Sequence, residues 1–211
     1  MTDLLTPDDI EAMFTRTDSS FLFARWGRPI APIVFGVDDA TVSVVKGALE
    51  AMSVLTQHPL AETDAELGSN LMFFFFRDWD ELLEVPDLDR LVPDLDQLLT
   101  RLETGAANQY RFFRFDADGA IKAGFVFLRM DSALIALPAD VLILGQVAQM
   151  MLLWGEGAFA TTSPLAVAPG GATILRPEIA ELIRAGYNGV LPNAAQDKAH
   201  ALRLFARMQQ A

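Results

Sequence analysis

A chain of 211 residues is long enough to form one domain with a sizeable buried core. Its 16 Lys and Arg residues stand against 28 Asp and Glu residues, and this formal charge of −12 argues against a nucleic-acid partner, because phosphates repel such a surface. Cysteine is absent, and His58 and His200 are the only histidines. Disulfides, thiol nucleophiles and metal sites built from cysteine or three histidines are therefore excluded within one chain.

The amino-terminal sequence carries acids where a secretory signal needs a basic stretch and an apolar stretch. We therefore expect a cytoplasmic protein, or a periplasmic one if a signal was removed. Thr6, followed by proline and two acids, predicts the start of a short helix that turns Ile10, Met13 and Phe14 inward. Residues 1–20 are expected to form an N-terminal helical extension.

The next segments predict strand, helix and strand. Phe21 to Phe35 is typical of extended chain, and Pro29 and Pro32 favour an edge strand because proline has no N–H to donate. Apolar residues at helical spacing predict a helix from about Asp38 to Thr56. The apolar run from Asn70 to Phe76 is typical of a strand covered on both faces.

An acidic, leucine-rich stretch from Asp78 to Glu103 follows, with an internal echo of Pro86–Leu91 in Pro93–Leu98. Each proline stands before Asp-Leu-Asp, where it can open a helix. Tyr110–Phe115 and Ile121–Arg129, joined by Asp-Ala-Asp-Gly, predict a β-hairpin.

The most apolar segment lies between Ser132 and Gly155, where Asp140 is the only charge. A membrane span is disfavoured, because Asp140 alone would cost roughly 2.5–3.5 kcal/mol near the bilayer centre. The uninterrupted part, Val141 to Trp154, is also shorter than the roughly 20 residues that a spanning helix needs. We therefore interpret Pro138 to Trp154 as a buried core helix.

The remaining segments predict a turn at Ala168–Ala172 and helices over Pro177–Ala185 and Ala194–Gln209. No linker rich in Pro, Gly and Ser divides the chain. We expect residues 1–211 to form a single α+β domain in which a mixed β-sheet packs against helices.

Conventional catalytic motifs are lacking. Neither histidine accompanies a Gly-x-Ser-x-Gly elbow, and we expect His58 to be solvated at a helix end before proline. The carboxylates between Asp78 and Asp96, together with Glu156, could supply a hydrolase pair, but acids this dense are more often a solvated face. A carboxylate-dependent hydrolase with an unrecognised active site is therefore kept as the alternative function.

The predicted core helix has neutral residues, Gly145, Gln146 and Gln149, at the spacing of a zinc-binding motif. Histidines at Gly145 and Gln149, with glutamate at Gln146, would make a zinc-peptidase signature. All three residues are instead poor zinc ligands, so we expect no metal. The simplest interpretation is that both glutamines hydrogen-bond to neighbouring backbone inside a buried helix.

The order of several segments resembles a proteobacterial family of uncharacterised proteins with a metzincin-like, that is zinc-peptidase-like, fold. Four pieces carry the resemblance: Phe23–Gly36, Asn70–Phe75, Gln149–Leu153, which partly echoes the family's Gln-x-Leu-Gly-Leu pattern, and Ile174–Tyr187. The resemblance implies a zincin-like fold. The acids usual in the family's active-site-like helix are replaced by Gly145 and Gln146, so no catalytic residue can be carried over.

Three functional hypotheses follow. The first is a pseudoenzyme, a non-catalytic zincin-like domain acting as a binding or structural module without metal or cofactor. The candidate residues of its ligand groove are Gly145, Gln146, Gln149 and Trp154, which would contact a peptide, a protein or a small-molecule ligand. We expect no membrane-spanning segment, and the pattern leaves open whether the protein forms oligomers. The second is the hydrolase. The third is an apolar interaction surface at Phe73–Phe76 or Met150–Trp154.

Overall fold

A mixed four-stranded sheet organises the computed structural model, which describes residues 5–210. The helices are α1 (Pro7–Phe14), α2 (Asp39–Thr56), α3 (Leu88–Leu91), α4 (Leu95–Thr104), α5 (Ser132–Ile135), α6 (Ala139–Met150), α7 (Pro177–Gly186) and α8 (Ala199–Met208), with a 3₁₀ helix at Trp79–Glu84. The strands are β1 (Phe23–Ala24), β2 (Pro32–Phe35), β3 (Leu71–Phe76), β4 (Gln109–Phe115), β5 (Ile121–Arg129), β6 (Leu165–Val167), β7 (Thr173–Leu175) and β8 (Ala194–Ala195).

The main sheet has the strand order β2-β3-β5-β4. Strands β2, β3 and β5 run parallel, and β4 is antiparallel to β5 through the predicted hairpin. Two short antiparallel pairs, β1-β8 and β6-β7, lie outside this sheet. The predicted single α+β domain with a mixed sheet is confirmed.

Strand β3 is buried along its whole length because both faces of the sheet are covered. Leu71, Phe73 and Phe75 join a large core that contains residues of α1, α2, α6, α7 and α8. Their neighbours in the strand, Met72, Phe74 and Phe76, join a second core beneath the 3₁₀ helix, α3 and α4. Because successive strand residues point to opposite faces, an uninterrupted apolar run is what this position requires.

The acidic segment repeats itself in structure as well as in sequence. Asp87 and Asp94 each follow a proline, each adopt a left-handed backbone with φ of 58° and 54°, and each immediately precede a short helix. The leucines of α3 and α4 face the second core, as expected. The prolines do not open these helices directly, since each helix begins two residues later, after the aspartate turn.

Helix α1 is fully part of the main core, because Ile10 and Phe14 have no exposed surface. Its start is as predicted: Thr6 and Asp9 form a reciprocal capping box. The predicted helix from Ala194 is wrong in its first residues, since Ala194 and Ala195 form β8 and pair with β1. Alanine's helix propensity is overridden there by a long-range strand pairing.

Helix α6 ends at Met150, four residues before the predicted end at Trp154. The buried carbonyls at this end are satisfied by distant side chains: Trp26 Nε1 donates to the Met150 carbonyl at 2.8 Å, and the Tyr187 hydroxyl donates to the Met151 carbonyl at 2.7 Å. The chain can therefore leave the helix inside the core. Within residues 5–210, no helix combines the length and apolarity needed to cross a bilayer.

The proposed apolar interaction surfaces are wrong. Phe73–Phe76 and Met150–Trp154 lie in the two cores, and none of these residues is more than 9% exposed. Without unfolding part of the domain, a partner could reach only the small exposed parts of these side chains, such as the 5% of Leu153 and the 9% of Trp154.

Candidate functional site: a groove along the free edge of the sheet

A groove of about 870 Å³, here called the β4 groove, runs along the outer edge of β4. Its other wall is the chain that follows α6, and one end is closed by the segment after α1. Its lining comprises Arg16, Asp18, Ser20, Leu22, Arg101, Gln109, Tyr110, Arg111, Phe112, Phe113, Phe115, Gln149, Leu153, Trp154, Gly155, Glu156, Phe159 and Ala160.

Strand β4 has a free edge because it is last in the sheet order. The Arg129 N–H donates to the Asn108 carbonyl at 2.8 Å, which sets the phase of hydrogen bonding between β4 and β5. In an antiparallel pair, bonded and non-bonded positions alternate. The backbone N–H and C=O groups of Gln109, Arg111 and Phe113 are therefore directed away from β5 and towards the groove.

The opposite wall is apolar and firmly supported. The Trp154 ring stacks on Phe14 at a centroid distance of 5.3 Å, and Phe159 meets Trp154 edge to face at 4.9 Å. Gly155 lets the chain pass against α1, where its N–H donates to the Met13 carbonyl at 2.8 Å. A Cβ at Gly155 would lie only 2.4 Å from the Thr15 carbonyl oxygen, so glycine is required here.

A polar network joins α6 to the edge strand. Arg111 Nη1 donates to Gln146 Oε1 at 2.8 Å, and Gln146 Nε2 donates to Gln109 Oε1 at 2.8 Å. Gln146 is only 3% exposed, so this network replaces water around its amide. The expectation that Gln146 bonds to backbone is therefore wrong, whereas Gln149 does so, donating to the Gly145 carbonyl at 3.1 Å.

The arginines of the groove differ in their partners. Arg16 forms an ion pair with Glu156 at 2.5 Å, whereas neither Arg101 nor Arg111 forms one with any carboxylate in residues 5–210. Burial lowers the pKa of Arg111 to about 10, which leaves the guanidinium charged at neutral pH. The groove therefore carries local positive charge in a chain of net charge −12.

The two carboxylates of the groove are already engaged. Asp18 Oδ1 accepts hydrogen bonds from the Ser20 hydroxyl and N–H, at 2.6 and 2.9 Å, and these bonds lower the pKa of Asp18. Glu156 holds Arg16 and also accepts the Thr17 N–H at 3.1 Å. Both carboxylates therefore already have partners within the protein.

Four residues were expected in a groove beside α6, and the structure separates them. Gln149 and Trp154 line the β4 groove, and Gln146 lies behind it in contact with Arg111. Gly145 faces β6 instead, where an added methyl group would lie 3.6 Å from Leu165 Cδ1.

The sequence predicts the hairpin, but none of its patterns assigns a functional role to the first strand. The available signal was the alternation of polar and aromatic residues from Gln109 to Phe112, and the two-residue period of a strand places Gln109, Arg111 and Phe113 on one face of β4. The groove becomes visible only once β4 is known to be an edge strand, and no local pattern reveals that.

The acidic segment does not form a site. Its carboxylates between Asp78 and Asp96 lie on the outer surface of the second core, and all are exposed except that of Glu81. Glu81 instead accepts the N–H groups of Arg77 and Asp78 and so caps the 3₁₀ helix. Across residues 5–210, no group of three or more His, Cys, Asp or Glu residues is placed to hold a metal ion.

Neither histidine reaches the groove. His58 is half-buried rather than solvated, with Nε2 at 2.8 Å from the Arg28 carbonyl oxygen, and burial lowers its pKa. His200 is completely buried, its ring centroid lies 4.4 Å from that of Phe23, and within residues 5–210 neither ring nitrogen has a partner.

Comparison with protein-family models, with curated proteins and with solved structures finds nothing that matches this chain. The geometry and chemistry of the β4 groove therefore carry the functional conclusion.

Proposed function

We propose that this protein is a non-catalytic binding module that takes an extended peptide segment into the β4 groove as an added strand. The observation that carries the proposal is the set of backbone groups of Gln109, Arg111 and Phe113 directed into the groove. Peptides that add to a sheet edge gain affinity from main-chain hydrogen bonds and specificity from alternate side chains.

The dimensions of the groove suit such a segment. At about 3.4 Å per residue, the span from Gln109 to Phe115 is about 20 Å, enough for five to seven peptide residues. The irregular register between Arg114 and Phe115 ends the regular edge and limits how far pairing can extend. Trp154 and Phe159 offer an apolar wall to every second side chain of the ligand.

The two carboxylates in the groove, Asp18 and Glu156, support the proposal that the protein is not a catalyst. A general acid must hold a proton near neutral pH, but Asp18 has a lowered pKa and Glu156 is ion-paired with Arg16. The exposed acids between Asp78 and Asp96 give the hydrolase alternative no cleft in which to work.

The zincin-like frame is retained as part of the proposal, without its metal. A zinc ion does not fit beside α6, because the Gln146 amide is occupied by Arg111 and Gln109, and the Gln149 amide donates to the Gly145 carbonyl. The nearby Arg111 charge would also repel a cation. In the proposed module, the groove beside α6 binds a peptide, as a zincin-like fold would at this position, but without a metal and without cleaving the peptide.

The test is peptide binding with a matched pair of variants. Heptapeptides selected from a displayed random library are synthesised, and their affinities are measured for wild type, Phe159→Ala and Val167→Ala. Phe159 lines the groove, whereas Val167 is 71% exposed on β6 outside it. Loss of the aromatic contact is expected to weaken binding about tenfold, with less than a twofold change for Val167→Ala.

Two results would overturn the proposal. One is that no heptapeptide binds the wild-type protein more tightly than about 1 mM, the weak end of specific binding. The other is that Phe159→Ala and Val167→Ala bind the selected peptides equally well while both remain folded.

A further inference from the structure

We infer that Arg111 recognises a carboxylate of the ligand, and this inference rests on the proposed peptide-binding function. An acidic segment, anchored by its carboxylate on one arginine in the middle of the β4 edge, is then the occupant of the groove. The sequence pattern places Arg111 on one face of β4 but assigns it no ligand, and its role in binding a carboxylate follows from three features of its surroundings.

The first feature is an incomplete set of partners. Only Nη1 of Arg111 donates to protein acceptors, to Gln146 at 2.8 Å and more weakly to Gln109 at 3.4 Å. In the part of the chain that the structure describes, Nε and Nη2 have no acceptor, yet neither is sealed from solvent as the unpartnered Nε atoms of Arg25 and Arg129 are. Adjacent N–H groups on one side of a planar guanidinium are the geometry that binds a carboxylate through two hydrogen bonds.

The second feature is uncompensated charge in a restricted space. Arg111 is half-buried on a strand, lines the groove and has no ion pair within residues 5–210, so its charge is weakly solvated and unneutralised. Arg101 adds a second unpaired cation to the lining, whereas Glu156 is neutralised by Arg16. An incoming carboxylate would meet net positive charge although the whole chain is acidic.

The third feature is preorganisation. Gln146 is buried on α6 and fixes one end of the guanidinium, so little side-chain freedom remains to be lost when a ligand binds. The backbone of Arg111 also faces the groove, so one residue sets both strand register and carboxylate position. The carboxylate can come from an internal Asp or Glu or from the C-terminus of the segment.

The experiment compares three synthetic peptides: Ac-TVTETVT-NH2, Ac-TVTQTVT-NH2 and Ac-TVTQTVT-OH. Wild type should bind a carboxylate-bearing peptide about tenfold more tightly than the neutral peptide. Preference for the first peptide identifies an internal side chain, and preference for the third identifies a C-terminal carboxylate. Equal affinity for all three would overturn the inference.

The variant Arg111→Met/Gln146→Leu should abolish this preference, leaving the peptides within about twofold of one another. Replacing both partners avoids leaving the buried Gln146 amide without its donor. Arg111→Lys serves as a second variant that keeps the positive charge but lacks the paired N–H groups of a guanidinium. It should retain only part of the preference for carboxylate-bearing peptides. An unchanged preference in the double variant would contradict a role for Arg111.

A titration with glutarate, followed through the NMR signal of the Arg111 Nε–H group, separates this inference from the proposed function. A saturable shift that sodium chloride does not reproduce supports carboxylate recognition even where no peptide adds to β4, an outcome that removes only the proposed peptide function. Peptides that bind β4 equally well with and without a carboxylate, together with no glutarate shift, remove only the inference.

Discussion

At the scale of single residues, the features that matter most are polar groups without ordinary partners. Arg111 lacks a counter-ion within residues 5–210, and His200 lacks a hydrogen-bond partner there. A residue's type and sequence neighbours predicted neither condition, because both depend on which distant elements pack around the side chain. Capping residues such as Thr6 and Asp38 were predictable, since their partners lie three residues away.

His200 should make the fold sensitive to mild acid. Burial, together with the nearby charges of Arg203 and Arg25, lowers the pKa of His200 to about 4 in the folded protein, against about 6.5 when unfolded. A proton then binds the unfolded chain first, so stability present above pH 6.5 is lost as the pH falls towards 4. The loss between pH 7 and pH 5 should be about 2 kcal/mol.

Urea unfolding of wild type and His200→Leu at pH 7, 6 and 5 measures this effect. The variant should lose about 2 kcal/mol less than wild type over the interval. Titration of the acids with lowered pKa values lies at lower pH and is common to both proteins. The same pH dependence in both proteins would show that His200 is protonated equally in the folded and unfolded states.

At the scale of elements, local patterns were sufficient for α1, α2, β3 and the β4-β5 hairpin. Each of these has its signal within its own residues: a cap, an apolar run or a turn. The boundaries of α6 and α8 were missed because residues far along the chain set them. Trp26 and Tyr187 satisfy the end of α6, and β1 extends the chain before α8.

The Tyr187 hydroxyl provides a test of how α6 ends. Tyr187→Phe keeps the ring but removes the donor to the Met151 carbonyl, which would leave that buried group unsatisfied. The free energy of unfolding is expected to fall by about 1–2 kcal/mol. Tyr110→Phe is the matched control, since the Tyr110 hydroxyl has no hydrogen-bond partner within residues 5–210, and it should change stability by less than about 0.5 kcal/mol. Equal effects of the two substitutions would mean that the hydroxyl at Tyr187 does not stabilise the helix end.

At the scale of the whole molecule, the many apolar residues and the many acidic residues occupy different regions of the structure. The apolar residues fill two cores on either side of one sheet, and the acids between Asp78 and Asp96 solvate the outside of the second core. This division could be predicted from the composition and the sequence pattern. The β4 groove could not be predicted in this way, because it is formed by the edge of the sheet, the chain after α6 and the chain after α1, which meet only in the folded state.

The central claim is that the outer edge of β4 is free and accepts a peptide strand. Amide hydrogen exchange, resolved by residue, tests it most directly. In the free protein, the Tyr110 and Phe112 amides should exchange slowly because they bond to β5, whereas the Arg111 and Phe113 amides should exchange quickly.

Addition of a saturating heptapeptide selected for binding should slow exchange at Arg111 and Phe113 by at least about tenfold and leave Tyr110 and Phe112 unchanged. A bound peptide that leaves the Arg111 and Phe113 amides as fast as before would contradict strand addition at this edge.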